Sequence, residues 1–176
     1  ASGPEPDEET ARAALARLRP GTKSRFYESL ADPGWVGHLR AAGMFGHAPP
    51  AIREGDMVRF PLWPEGLVLL RFAADAPEEV ARAAAEVPQS DNSRVIQLLA
   101  SCAAELPPEL AADSGLVARL RDGLKAHPQL LDVAEPAGRL TARLASAGRT
   151  GNAMELLRAL LWIDYWEVPS GSEIGR

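Results

Sequence analysis

Two phrases decide how this chain is read: Ala76-Pro77-Glu78-Glu79-Val80-Ala81 and Leu106-Pro107-Pro108-Glu109-Leu110-Ala111. Each puts proline where a helix can open, follows it with acid in the first turn, and continues into apolar residues. They lie 30 residues apart. After Pro77, the apolar positions Val80, Ala83, Ala84 and Val87 fall on one helical face, and Pro88 ends the run. Asp91 or Asn92 then caps a helix carrying Val95, Leu98, Leu99 and Cys102 on one stripe. Ser114 caps another, with Leu116, Val117, Leu120 and Leu124. Helices this short cannot bury a face alone, so neighbours must stack into one continuous core. An irregular helical bundle is the other arrangement that the pattern admits.

Working outward, Leu140, Leu144 and Ala145 belong to a further helix stopped near Gly148, and Met154, Leu157, Leu160 and Leu161 to a last one capped by Thr150 or Asn152. Towards the N-terminus, Asp7 to Leu18 and Phe26 to Leu30 read as helices separated by Pro20-Gly21, and Asp32-Pro33 opens a third that Gly43 ends. Residues 44–63 change character. Met44-Phe45-Gly46-His47-Ala48-Pro49-Pro50 cannot continue a helix, Arg53-Glu54-Gly55-Asp56 is turn-like, and Met57 to Phe60 could form a short strand. The expected organisation is an N-terminal helical cap over 1–43, a long loop over 44–63, helical repeats over 64–168 and a frayed tail over 169–176. A loop of that length inside a compact domain is uncommon and usually functional.

Composition agrees. The 176 residues include 31 Ala and 23 Leu, the strongest helix formers, and 46% are hydrophobic, which excludes a wholly disordered chain. The net charge of -5 argues against a nucleic-acid or anionic-membrane surface. A single cysteine excludes an internal disulfide and any cysteine-based zinc cluster. No apolar run reaches the roughly 18 residues that would span a membrane. Residues 1–9 are acidic and contain proline, unlike a secretory signal, which favours a cytoplasmic protein. The absence of an initiator Met suggests a piece of something longer.

The stretch from Phe60-Pro61-Leu62-Trp63-Pro64 through Leu70-Arg71-Phe72-Ala73 and Ala76-Pro77-Glu78-Glu79-Val80 resembles the HEAT-like helical repeat regions of large bacterial multidomain proteins. Val87-Pro88, Asp91-Asn92-Ser93-Arg94-Val95 and Leu106-Pro107-Pro108-Glu109-Leu110-Ala111 continue the likeness in order, over about residues 32–125. The resemblance implies a scaffold or sensor role beside nucleotide-binding or nuclease modules. No such effector module is present in this chain.

Catalytic chemistry is sparse. No glycine-rich stretch ends in the Gly-Lys-Ser/Thr of a phosphate loop. His38, His47 and His127 have no second ligand at metal spacing, and Cys102 continues an apolar stripe, as a buried, inert thiol would. The paired acids Glu8-Glu9 and Glu78-Glu79, and Glu65 after Pro64, sit in first helical turns, where they suit the dipole. Arg119, Arg121, Arg139, Arg143 and Arg149 could form a basic strip, yet the acidic net charge opposes it.

The expectation is therefore an all-α fold: stacked antiparallel helix pairs in a HEAT-like α-solenoid, with an N-terminal cap and one long loop. The expected function is a non-catalytic protein-interaction or scaffold module of a larger bacterial protein, needing no metal or cofactor. The alternative is an enzyme or nucleic-acid-processing domain on the same scaffold. The expected partner-binding residues are Phe60, Trp63, Arg71 and Arg94, and the partner is another protein or the rest of the same polypeptide. Trp162, Tyr165 and Trp166 share a helical face and offer a route to self-association.

Overall fold

A computed structural model describes residues 8–17, 22–126 and 131–161. The fold is almost entirely helical. Helices α1 (Glu8–Arg17), α2 (Lys23–Ser29) and α3 (Trp35–Ala41) come first. A 3-10 turn at Met44–Gly46 and two short strands, β1 (Ile52–Glu54) and β2 (Met57–Arg59), follow. The remaining elements are α4 (Pro64–Phe72), α5 (Pro77–Glu86), α6 (Ser93–Glu105), α7 (Pro108–Asp113), α8 (Leu116–Ala126), α9 (Leu131–Ser146) and α10 (Thr150–Leu161).

Local chemistry sets most boundaries. Pro64, Pro77 and Pro108 each occupy the first position of their helix, where the missing N–H costs nothing. Gly43, Gly115 and Gly148 follow α3, α7 and α9 with φ of 74°, 79° and 75°, the left-handed conformation that turns the chain out of a helix. The echo does mark two helix starts, at Pro77 and, one residue past the match at Pro107, at Pro108. The second opens a helix of only six residues, too short to match its counterpart.

Packing follows sequence order with a skip of one. α2 lies against α4, α4 against α6, α6 against α8 and α8 against α10. The odd-numbered helices do the same: α1 with α3, α3 with α5, α5 with α7, and α7 with α9. The two rows meet through α3–α4, α4–α5, α6–α9 and α9–α10. One core fills the space between them, from Val36, Leu39 and Phe45 through Val68, Leu69 and Leu106 to Leu140, Leu144 and Leu156. Buried Ala83, Ala84, Ala100 and Ala103 keep the helices close.

Arginines join helices end to side. Arg71 on α4 donates from Nη1 to the carbonyls of Tyr27, Glu28 and Leu30 at 3.1, 3.0 and 2.9 Å, closing the C-terminus of α2. Arg119 on α8 reaches Ala85 O near the end of α5 at 3.0 Å, and Arg143 on α9 reaches Ala104 O near the end of α6. These carbonyls lie in or just past the last turns, where intrahelical donors run out, and the negative end of the dipole favours a cation there.

The segment expected as a long loop is more ordered than that. Its 3-10 turn buries Phe45, and its centre is an antiparallel hairpin pairing Ile52 with Arg59, Arg53 with Val58 and Glu54 with Met57. Trp63, at the start of α4, is 1% exposed. Its ring lies flat over Gly66: a Cβ at that glycine would stand 2.3 Å from Trp63 Cε3. Helix propensity alone would make Gly66→Ala stabilising by about 1 kcal/mol. The clash with a buried ring reverses the sign, and urea unfolding should show Gly66→Ala destabilised by about 1–3 kcal/mol.

Candidate functional site

The hairpin between residues 48 and 62 stands out because it buries none of its own strands. All six strand residues are exposed. Prolines 49, 50, 61 and 64 exclude helix, and Gly55, at φ 60°, takes the first turn position that joins strands with a primed turn. Cross-strand partners share a face, so Ile52, Arg59, Glu54 and Met57 lie on one side, and Arg53 and Val58 on the other. Met57 is 65% exposed and Leu62, just beyond the hairpin, 70%. With Ile52 and Val58 also exposed, this short segment leaves several apolar side chains in solvent.

A hairpin with no buried face is marginal unless its ends are held. Asn92, at 0% exposure, holds them. Its Nδ2 donates to Pro49 O at 3.0 Å and to Pro61 O at 2.9 Å, so one amide ties both feet of the hairpin. Its Oδ1 accepts from Arg94 N at 3.0 Å and caps α6. Ser90 Oγ accepts from Asn92 N at 3.1 Å and donates to Pro49 O at 3.4 Å. Asp91 adds a third tie, accepting from Ala51 N at 2.8 Å and from Arg53 Nη2 at 3.4 Å. The Ala51 bond, more than Arg53, holds the Asp91 carboxyl below its ordinary range against the opposing effect of burial.

The four residues expected to bind a partner fall in different places. Phe60 is half-buried just after β2, and Trp63 is part of the core, its Nε1 without a hydrogen-bond partner among the described residues. Arg94 is exposed on the first turn of α6, with its backbone N–H held by Asn92. The Asn92 latch therefore brings the Phe60–Trp63 strap against the start of α6. Arg71 is engaged elsewhere, at the end of α2. Trp162, Tyr165, Trp166 and His127 lie outside the described residues. The sequence offers Asp91 or Asn92 as the helix cap and does not show the second role of Asn92, nor Met57 and Leu62 as exposed apolar residues. The cap signal was visible; the amide donors, aimed 31 and 43 residues back along the chain, were not.

Other reactive groups are tied into the fold. Cys102 is buried, and burial, with Glu105 adding to it, pushes its thiol up to about 12. Glu65, buried in the first turn of α4, accepts from the Tyr27 hydroxyl at 3.3 Å and stands 3.6 Å from Lys23 Nζ. Burial first, and then this carboxylate, raise the Tyr27 ionisation. The cluster clasps α2 to α4. Between α5 and α7 a shallow groove of about 370 Å³ has a floor of Ala81, Ala85 and Leu110 and a rim of Glu78, Arg82 and Asp113. Among the described residues, no group of three or more His, Cys, Asp or Glu side chains is placed to hold a metal ion.

Comparison with protein-family models, curated proteins and solved structures finds no match to this chain.

Asn92→Ala removes a helix cap and strands two proline carbonyls, so urea unfolding should show a loss of about 2–4 kcal/mol. Asn92→Asp keeps the cap but has no donors, and should recover only part of it. A carboxyl whose folded pKa is depressed stabilises above its unfolded value, and that contribution disappears as pH falls through the folded one. The stability gap between the natural chain and Asp91→Asn should therefore be present at neutral pH and close in strong acid, as measured by unfolding curves across pH.

Proposed function

We propose that this chain is a non-catalytic protein-interaction module that presents the hairpin as its contact arm. The observation carrying the proposal is the contrast between Met57 and Leu62, at 65% and 70% exposure, and the fully buried Asn92 that fixes the segment bearing them. A loop serving only to connect α3 with α4 needs neither the exposed apolar residues nor the latch. Preorganisation also lowers the ordering cost of binding, so a held arm binds more tightly than a free loop with the same side chains.

The scaffold behind the arm is proposed to be a HEAT-like solenoid of stacked helix pairs. Support comes from the skip-one packing of both helix rows and from arginines that cap helices earlier in the stack. With the resemblance noted above, this favours a scaffold segment of a larger bacterial, cytoplasmic protein. The net charge of -5 favours a protein partner over nucleic acid. Phe60 and Arg94 flank the arm and belong to its proposed rim. Trp63 supports the arm from beneath.

A photo-crosslinking residue at Met57 or Leu62, expressed in the source cells, should give a discrete adduct that the same residue at exposed Ala145 does not. Met57→Asp with Leu62→Asp should abolish the adduct formed from position 58 while changing stability by less than about 0.5 kcal/mol. Equal labelling from the Ala145 control, or an adduct that survives the double substitution, would contradict the reading.

A further inference from the structure

The two edges of the hairpin differ. Its turn, Gly55-Asp56, is two residues long, so Glu54 and Met57 exchange the closing hydrogen bonds. Pairs alternate along an antiparallel ladder: Ile52 and Arg59 exchange bonds again, and the backbone N–H and C=O of Arg53 and Val58 point away from the ladder. One step further, those of Ala51 and Phe60 point outward as well. On the β1 side Asp91 covers the edge, accepting from Ala51 N at 2.8 Å and from Arg53 Nη2 at 3.4 Å. On the β2 side, no group outside the ladder bonds to the backbone of Val58 or Phe60 among the described residues. Pro61 does not guard this edge, since its missing N–H falls on the inward step and its carbonyl goes to Asn92.

Open edges are normally blunted by charge, by proline or by a covering element. This one carries apolar side chains instead. Val58, Phe60 and Leu62 alternate onto one face, with Val58 and Leu62 exposed and Phe60 half-buried. Arg53, beside them on β1, is held by Asp91. Arg59, the only charge in residues 57–63, lies on the other face and pairs with Glu54. Such an edge suits a strand that is extended, uncharged and alternately apolar, and β2 with its continuation is itself one. Run antiparallel about a two-fold axis at Phe60, the same strand of a second copy sets Leu62 against Val58 and Phe60 against Phe60. Each outward N–H then faces a C=O, and no like charges meet. We propose that the arm's partner is a second copy of this chain, joined β2 to β2 in a four-stranded antiparallel sheet. The assembly closes at two, because the outer strands are then β1 and Asp91 covers their edges. The inference rests on the hairpin being a contact arm and names what it meets.

Sedimentation equilibrium of the full chain should show monomer and dimer in exchange, with a dissociation constant on the order of 100 µM, as suits a small interface. Amide exchange of the natural chain locates the contact: Val58 and Phe60 should exchange freely in dilute solution and become protected as the dimer forms. Val58→Pro removes an outward N–H and no ladder bond, so it should weaken dimerisation more than about tenfold with helical circular dichroism unchanged. Leu62→Glu, which sets an acid against Val58 of the other copy, should do the same. A chain that stays monomeric to about 1 mM, a dimer in which Val58 and Phe60 still exchange freely, or dimerisation untouched by both substitutions would each overturn the inference. The contact-arm reading has a separate readout: a crosslink from Met57 or Leu62 to a different protein in the source cells, with the chain monomeric, keeps that reading and overturns this one.

Discussion

The side-chain amide of Asn92 is the contact on which the unusual part of this molecule depends. Pro49 and Pro61 stand at the two feet of the hairpin. Both residues lie beyond the ladder, so their carbonyls must find donors elsewhere. One buried amide supplies both, and its oxygen meanwhile starts α6. A carboxylate could cap the helix but has nothing to donate, and a hydroxyl has one donor for two acceptors. The residue type is thus dictated from two directions, by the helix on one side and the hairpin on the other. Trp63 completes the mounting: its ring is buried against the bare backbone of Gly66, so the chain leaves the hairpin and enters α4 at a fixed angle.

Behind that mounting, the helices are held by two kinds of force. Apolar burial is general and fixes little beyond the rows. The arginine caps are specific, because each ties the end of one helix to the side of another. Arg71 is the clearest case, with a single nitrogen serving three carbonyls at the end of α2. The exposed ion pairs, such as Arg82 with Glu79 at 3.0 Å, add little, because solvent screens them. Arg71, Arg119 and Arg143 thus have defined structural work in joining helices.

The sequence carried the helix boundaries well because they rest on backbone chemistry within a few residues. Pro77 and Pro108 open helices and Gly43 and Gly148 end them, as local reading expects. Cys102 continued an apolar stripe and is buried. The hairpin was legible only in part, as a turn and one strand, since strand reading relies on alternation between a buried and an exposed face. Ile52 to Arg59 has no buried face, so there was no alternation to see. Trp63 between prolines suits a core anchor best, with a binding pocket as the alternative, until its neighbours are known. Asn92 shows the same limit: its local bond to Arg94 N is readable, and its bonds to Pro49 and Pro61 require the folded chain.

These contacts latch the hairpin at both feet to the helical body, and the proposed function rests on that rigidity. Three-residue strands standing free of any core would open continually, whereas strands latched at both feet should open only with the helix that carries the latch. Native-state hydrogen exchange of the natural chain reads this directly. The account predicts that the ladder amides of β1 and β2 open with a free energy close to that of the first turns of α6. Exchange of the hairpin at near-unfolded rates, with α6 still fully protected, would contradict it.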